Sequence, residues 1–140
     1  MKKYQDIAAL LLRLALAFGF LSAVASRLSL WGKHSSGWNI FLSYTGQVNS
    51  FAPKSFIPLL AITSTVLETC LGILLLVGFK TSYAAFGAAI LSLLFALAMS
   101  YSFGIKEPLD YSVFAFSAAA FLLACMSHYP WSIGELLSKK

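Results

Sequence analysis

Four apolar stretches, residues 7–30, 56–79, 82–103 and 109–129, take up most of this 140-residue chain and leave it little choice of fold. Each is close to the ~20 residues an α-helix needs to cross the hydrocarbon of a bilayer. Composition agrees: 59% of residues are hydrophobic and only 11% charged, and the mean hydropathy is +0.81, too evenly apolar for a soluble domain. The one long connector is residues 31–55, and the others are a few residues each, so successive helices are expected to be antiparallel neighbours. The expected fold is an all-α membrane protein, an antiparallel four-transmembrane-helix bundle, with residues 1–140 forming one domain.

The formal charge of +5 comes from bases scattered over helix ends rather than gathered on a face, which argues against nucleic acid as a partner. On this topology Lys2, Lys3, Lys80, Lys139 and Lys140 share one side of the membrane, against Lys33, Lys54 and Lys106 on the other, with Arg27 near that second surface. The excess places both termini in the cytoplasm and the chain in the inner, cytoplasmic membrane. Lys2 and Lys3, an apolar stretch and then Ala23, Val24 and Ala25 resemble a cleavable signal, but Arg13 interrupts its apolar core and argues against cleavage.

Glu68 stands inside the second apolar run with no lysine or arginine close by in sequence. A carboxylate at membrane depth costs roughly 2.5–3.5 kcal/mol even on translocon scales, so it must face protein or water and find a partner. The first helix supplies two candidates, Arg13 and Arg27, within ~40° of one face and ~21 Å apart along the axis. With Ile7 and Phe79 taken as level, Arg13 lies about 9 Å and Glu68 about 16 Å from the same surface, so Arg13 is the expected partner. Thr65, Thr69 and Gly72 neighbour Glu68 on the helical net, as in a polar pocket for a small ligand or a proton path; a pair that only fixes helix register is the competing reading. Ala15, Gly19 and Ala23 are spaced for close helix packing.

Glu107, Pro108, Leu109 and Asp110 open the fourth helix. Asp110 suits the positive end of the helix dipole, and its depth, near that of Arg27, equally allows a second cross-helix pair. The connector carries Trp31, Trp38, Phe41, Tyr44 and Phe51. Within it residues 39–48 read either as a helix lying over the outer mouth or as interfacial anchors. His34 and His128 fall on opposite sides of the bilayer, and no cluster has metal-ligand spacing. Cys70 and Cys125 are offset in depth and read as buried structural thiols. The chain lacks a haem-ligand pair, an iron–sulfur cysteine set, a flavin fingerprint and the usual soluble-enzyme motifs, so no covalently bound cofactor is expected.

The runs LLLRLALAFGFLSAVASRL, WNIFLSY, ITSTVLETCLGILLLVGF and PLDYSVFAFSAAAFLLA together resemble the DoxX family of small bacterial and archaeal membrane proteins. The resemblance implies a four-helix membrane bundle in which the family's first-helix arginine is Arg13, the basic residue near that helix's outer end is Arg27, and the second-helix glutamate is Glu68. It further implies kinship with a subunit of an archaeal thiosulfate:quinone oxidoreductase and with membrane redox and thiol-stress systems. The expected role is therefore an accessory or quinone-interacting subunit, with quinone as ligand and electrons delivered by a partner subunit. A small-molecule binding or transport module and a purely structural membrane protein are the alternatives, and whether the chain catalyses anything is left open. The site residues are Arg13, Glu68, Thr65, Thr69, Arg27 and Asp110. The lipid bilayer is the expected partner, and small-residue faces at Ala84, Gly87 and Ala88 or at Ala118, Ala119 and Ala120 would also suit a homo-oligomer.

Overall fold

The structure is a computed structural model that describes residues 2–138. Lys139, Lys140 and the side chains of Lys2 and Lys3, on which the charge-asymmetry reading leans, lie outside what it describes. The described residues form helices and turns with no strand: α1 (Lys2–Arg27), α2 (Trp38–Val48), α3 (Ile57–Val77), α4 (Thr81–Phe103), α5 (Lys106–Asp110), α6 (Val113–Ala124) and α7 (Ile133–Ser138), with short 3-10 turns before α2 and α3. Three helical stretches, Tyr4–Arg27, Lys54–Val77 and Thr81–Phe103, are long and apolar enough to cross a membrane. α1 packs on α3 and α4 on α6, and the pairs meet through α3 with α4 and α1 with α6.

Much of what α4 buries is small, and many of the large apolar side chains face outward. α3 buries Ile57, Ala61, Ser64, Glu68, Gly72 and Leu75, one residue each three or four positions, which is a single helical face. α4 buries Ala84, Ala85, Ala88, Ala89, Ser92 and Ala96 on its own stripe. Leu59, Ile62, Val66, Phe86, Ile90, Leu94 and Leu97 point outward. In water that arrangement would discard the hydrophobic effect. In lipid, where outward leucines cost nothing, helices associate through the close packing that small residues permit. At Gly72 a Cβ would come within 2.9 Å of Leu21, so α3 and α1 touch there almost backbone to side-chain stem.

The fourth apolar stretch differs from the expected continuous span over 109–129. It is split at Ser112, whose φ of 56° breaks the helix between α5 and α6, and α6 stops at Ala124. The stop has a local cause. The Tyr129 hydroxyl donates to the carbonyls of Leu123 (2.9 Å) and Ala124 (3.2 Å), and Ser82 Oγ donates to the Ala124 carbonyl at 2.8 Å. These side chains take the carbonyls that a further turn would have used. At ~1.5 Å per residue, α6 is only ~18 Å long.

α3 ends at Gly78, whose φ of 71° lets its N–H and that of Phe79 both return to the Leu74 carbonyl (2.9 and 3.0 Å) before the chain reverses into α4. The space beside it is also full: a Cβ there would lie 2.5 Å from Ser132 Cβ and 2.7 Å from Arg13 Nη1. Gly78→Ala is therefore expected to destabilise the protein by about 3 kcal/mol or more, strain and clash together. Gly46→Ala, in α2 with Ile57 no closer than 3.7 Å, should instead be neutral or stabilising by up to ~1 kcal/mol. Thermal or denaturant unfolding of the two variants in detergent checks the contrast.

Candidate functional site

Glu68 is 1% exposed and its partner is Arg27. Arg27 Nη2 donates to Glu68 Oε1 at 3.1 Å, and Nη1 lies 2.9 Å from Oε2. Nη1 also donates to Thr65 Oγ1 (3.3 Å), and Oε2 is in Coulomb contact with the guanidinium without an aligned hydrogen bond. Thr65 in turn donates to the Ala61 carbonyl at 2.8 Å, which turns its lone pairs toward Arg27. The Phe41 ring, on α2, covers the group with its centroid 3.8 Å from Arg27 Cζ. Arg27 is the last residue of α1, where the negative end of the helix dipole favours a cation.

The expected Arg13–Glu68 pair does not form, because the register of α1 against α3 is displaced from the one assumed. Gly72 meets Phe20 and Leu21, and Gly78 meets Arg13, so Arg13 rather than Ile7 is near the level where α3 ends. At 1.5 Å per residue this puts Arg13 and Glu68 about 17 Å apart along the bundle. Arg13 is nonetheless 3% exposed. Its Nη2 donates to the Trp131 carbonyl at 2.9 Å and its Nη1 to the Pro130 carbonyl at 3.4 Å, while Nε is buried without a hydrogen bond.

Asp110 is also corrected. It pairs with Lys106 one turn away, with both side chains more than half exposed, and not with Arg27. The short α5 and the break at Ser112 carry it away from the bundle interior, where a local partner suffices. Thr69 donates to the Thr65 carbonyl at 2.7 Å, a bond within its own helix, so of the two threonines only Thr65 touches the ion pair. Cys70 and Cys125 are free and exposed rather than buried: Cys70 lies on the outward face of α3 and Cys125 follows the end of α6, and the apolar sequence alone does not separate outward positions from inward ones.

Residues 39–48, which read either as a helix over the outer mouth or as interfacial anchors, are helical and lie within α2. It rests on α3 and α4, with Tyr44 stacked near Phe103 (centroids 6.2 Å) and Phe51 edge-on to Tyr101 (5.4 Å). Burial, reinforced by Tyr111 and Glu107, pushes the Tyr44 phenol above its ordinary range and keeps it neutral.

A second polar group went unnoticed in the sequence. At the end of the bundle that carries the termini, His128 Nδ1 lies 3.5 Å from Asp6 and its Nε2 3.8 Å from Glu135, whose other oxygen accepts from the Trp131 N–H at 2.9 Å. The signal available was topological: Asp6 and His128 sit at helix ends that an antiparallel arrangement brings to one side. A cavity of about 280 Å³ opens beside them, lined in part by Gly78, Thr81, Ser82, Tyr129 and Ser132. Among the described residues no group of three or more His, Cys, Asp or Glu side chains could hold a metal ion.

The two arginines should separate cleanly by mutation. Arg27→Ala and Glu68→Ala are each expected to cost about 3–5 kcal/mol, because each strands a buried charge, and the double variant should cost well under their sum. Arg13→Ala and Glu68→Ala should be additive within ~0.5 kcal/mol. Denaturant unfolding of the single and double variants in one detergent checks both cycles.

No curated protein and no solved structure matches this chain. The family model DoxX matches residues 8–101, a stretch that runs from α1 to near the end of α4 and contains Arg13, Arg27, Phe41, Thr65 and Glu68. With most of its length covered, including both arginines and the buried glutamate, the chain belongs to the DoxX family of membrane proteins.

Proposed function

We propose that this protein is a membrane-embedded accessory module of a redox or thiol-stress system. Its Arg27–Glu68–Thr65 group would hold the polar head of a lipid-soluble ligand, with quinone as the class. In this reading the chain is an antiparallel four-helix bundle in the cytoplasmic membrane, with α5 and α6 as the broken fourth member and both termini in the cytoplasm. Electrons come from a partner subunit, and the chain supplies binding and orientation.

One observation carries the reading: a self-neutralising guanidinium–carboxylate pair, buried among apolar helices, lies under an aromatic ring. The pair has no net charge to offer an anion, and an anion approaching Arg27 would meet Glu68 in contact with it. A neutral head with carbonyl or hydroxyl oxygens meets no such opposition. Arg27 donates, Glu68 Oε2 has acceptor capacity unused by any aligned donor, and a planar ring could replace Phe41 over the guanidinium. The outward apolar faces of α1 and α3 offer the tail a continuous path in lipid.

The competing reading, that the pair only locks helix register, is favoured by the close charge neutralisation of Arg27 and Glu68 between α1 and α3. A single experiment divides the two. Trp38 lies with its ring 5.7 Å from that of Phe41, so a bound quinone should quench its fluorescence. In nanodiscs, a short-tailed ubiquinone or menaquinone analogue is expected to quench saturably. Glu68→Gln, which keeps the shape, should raise the apparent Kd at least ~10-fold, a loss of about 1.4 kcal/mol, in a bundle that is less stable than the native one but still folded by circular dichroism. Quenching that is linear in quinone, or identical in Glu68→Gln and the native chain, leaves the register reading in possession.

A further inference from the structure

We infer that α2 is a hinged lid, anchored by its C-terminal half and latched at its N-terminal end, and that it opens the Arg27–Glu68 group to the aqueous phase on the connector's side of the membrane. The inference rests on the reading of that group as a binding site, and deepens it by assigning the route of access.

The two halves of the connector are held very differently. Toward its C-terminal end α2 buries Thr45 and Val48, at 7% and 5% exposure. Ser102 of α4 donates to the Val48 carbonyl at 2.6 Å, and its hydroxyl lies 2.8 Å from that of Ser50. Phe51 and Tyr44 add aromatic contacts to the same end of α4. From Gly32 to Ser43, by contrast, no residue is buried. This half is joined to the end of α1 through Ser26, whose Oγ accepts from the Ser36 N–H (3.0 Å) and lies 3.2 Å from Ser36 Oγ, and whose carbonyl accepts from the Gly37 N–H (3.1 Å). The Ser26–Ser36 hydroxyl contacts are solvent-exposed, where such bonds contribute least because water replaces them. Gly37, at φ 78°, is the joint at which the backbone turns into α2.

Phe41 lies on the lightly held half. Swinging that half outward about Thr45 and Val48 breaks the Ser26–Ser36 latch and lifts the ring off Arg27, while the Ser102 anchor stays in place. Local opening is drawn from segments with few buried contacts and exposed hydrogen bonds, and this half of the connector has both features. Movement about the opposite end would have to pull Val48 and Thr45 out of the protein first.

The two serine pairs make the test, because both are close enough for cysteines to bridge and they predict opposite results. The full-length chain, with Cys70→Ala and Cys125→Ala to prevent mispairing, carries either Ser26→Cys/Ser36→Cys or Ser50→Cys/Ser102→Cys. A water-soluble arylglyoxal probes Arg27, and peptide mass mapping reports it separately from Arg13, the one other arginine in the sequence. Oxidation of the 26/36 pair is expected to slow modification of Arg27 at least tenfold, with dithiothreitol restoring it. Oxidation of the 50/102 pair should change the rate less than twofold. Phe41→Ala, which needs no disulfide, should raise the rate severalfold. An unchanged rate in the oxidised 26/36 protein overturns the lid, since Arg27 is then reached from lipid or through another opening. Equal slowing by both bridges overturns the assignment of hinge and latch. No quinone enters the assay, so its failure is separable from failure of the ligand reading.

Discussion

The ion pair between Arg27 and Glu68 is the constraint on which the rest of the bundle hangs. Either charge alone at that depth would be costly, and together they join the last residue of α1 to the middle of α3. A helix is a stiff rod, so fixing one point fixes the others. With Arg27 held, Arg13 is carried ~21 Å along the same axis, down to the level of Gly78. There it has no comparable carboxylate contact and ties down the chain after α6 through the carbonyls of Pro130 and Trp131. The position of the terminal-end loop is thus a consequence of an ion pair at the opposite end.

The packing between those two points is permissive by design of the medium. Lipid competes with protein for every large apolar side chain, so what selects one arrangement over another is how closely the backbones can approach and which polar groups are satisfied. The alanine-rich stripe of α4 lets α6 lie close, and Ser117 Oγ closes a hydrogen bond to the Ala89 carbonyl at 2.8 Å across that contact. The Phe116 ring sits against the bare backbone of Gly19 and edge-on to Phe20, 5.2 Å between centroids, bringing the short α6 against α1. Small-residue packing supplies proximity, and a few polar contacts supply uniqueness.

Much of this was legible in the sequence, for reasons tied to particular residues. The three long helices followed from uninterrupted apolar length, whereas the aromatics of residues 39–48 suited a helix and plain interfacial anchors equally, and only the structure separates the two. The cost of burying Glu68 correctly announced a cationic partner on α1. Choosing between Arg13 and Arg27 required the axial register of two antiparallel helices, and no local pattern encodes register. It is set by where Gly72 and Gly78 admit side chains of the neighbouring helix, which is a property of both strings at once. The early end of α6 escaped notice for a similar reason, since the groups that cap it, Tyr129 and Ser82, come from a downstream turn and another helix. Asp110 was misplaced because a continuous fourth helix was assumed; once Ser112 breaks it, the side chain is outside the bundle and Lys106 is the nearest base.

The two arginines also differ in what their surroundings can do. Arg13 is bound by backbone carbonyls and lies at the negative end of the α3 dipole, groups that cannot change charge, cannot leave, and are satisfied only when the loop is folded against it. That is the chemistry of a tie. Arg27 is matched by side chains, Glu68 and Thr65, and roofed by Phe41, all of which can exchange partners without unfolding a helix. A neutral molecule that supplies an oxygen and a planar ring replaces contacts like for like, and the electrostatic balance of the pair survives its arrival and departure. Of the two ends, the charge-balanced one beneath a lightly held helix is therefore where exchange with a ligand costs the bundle least.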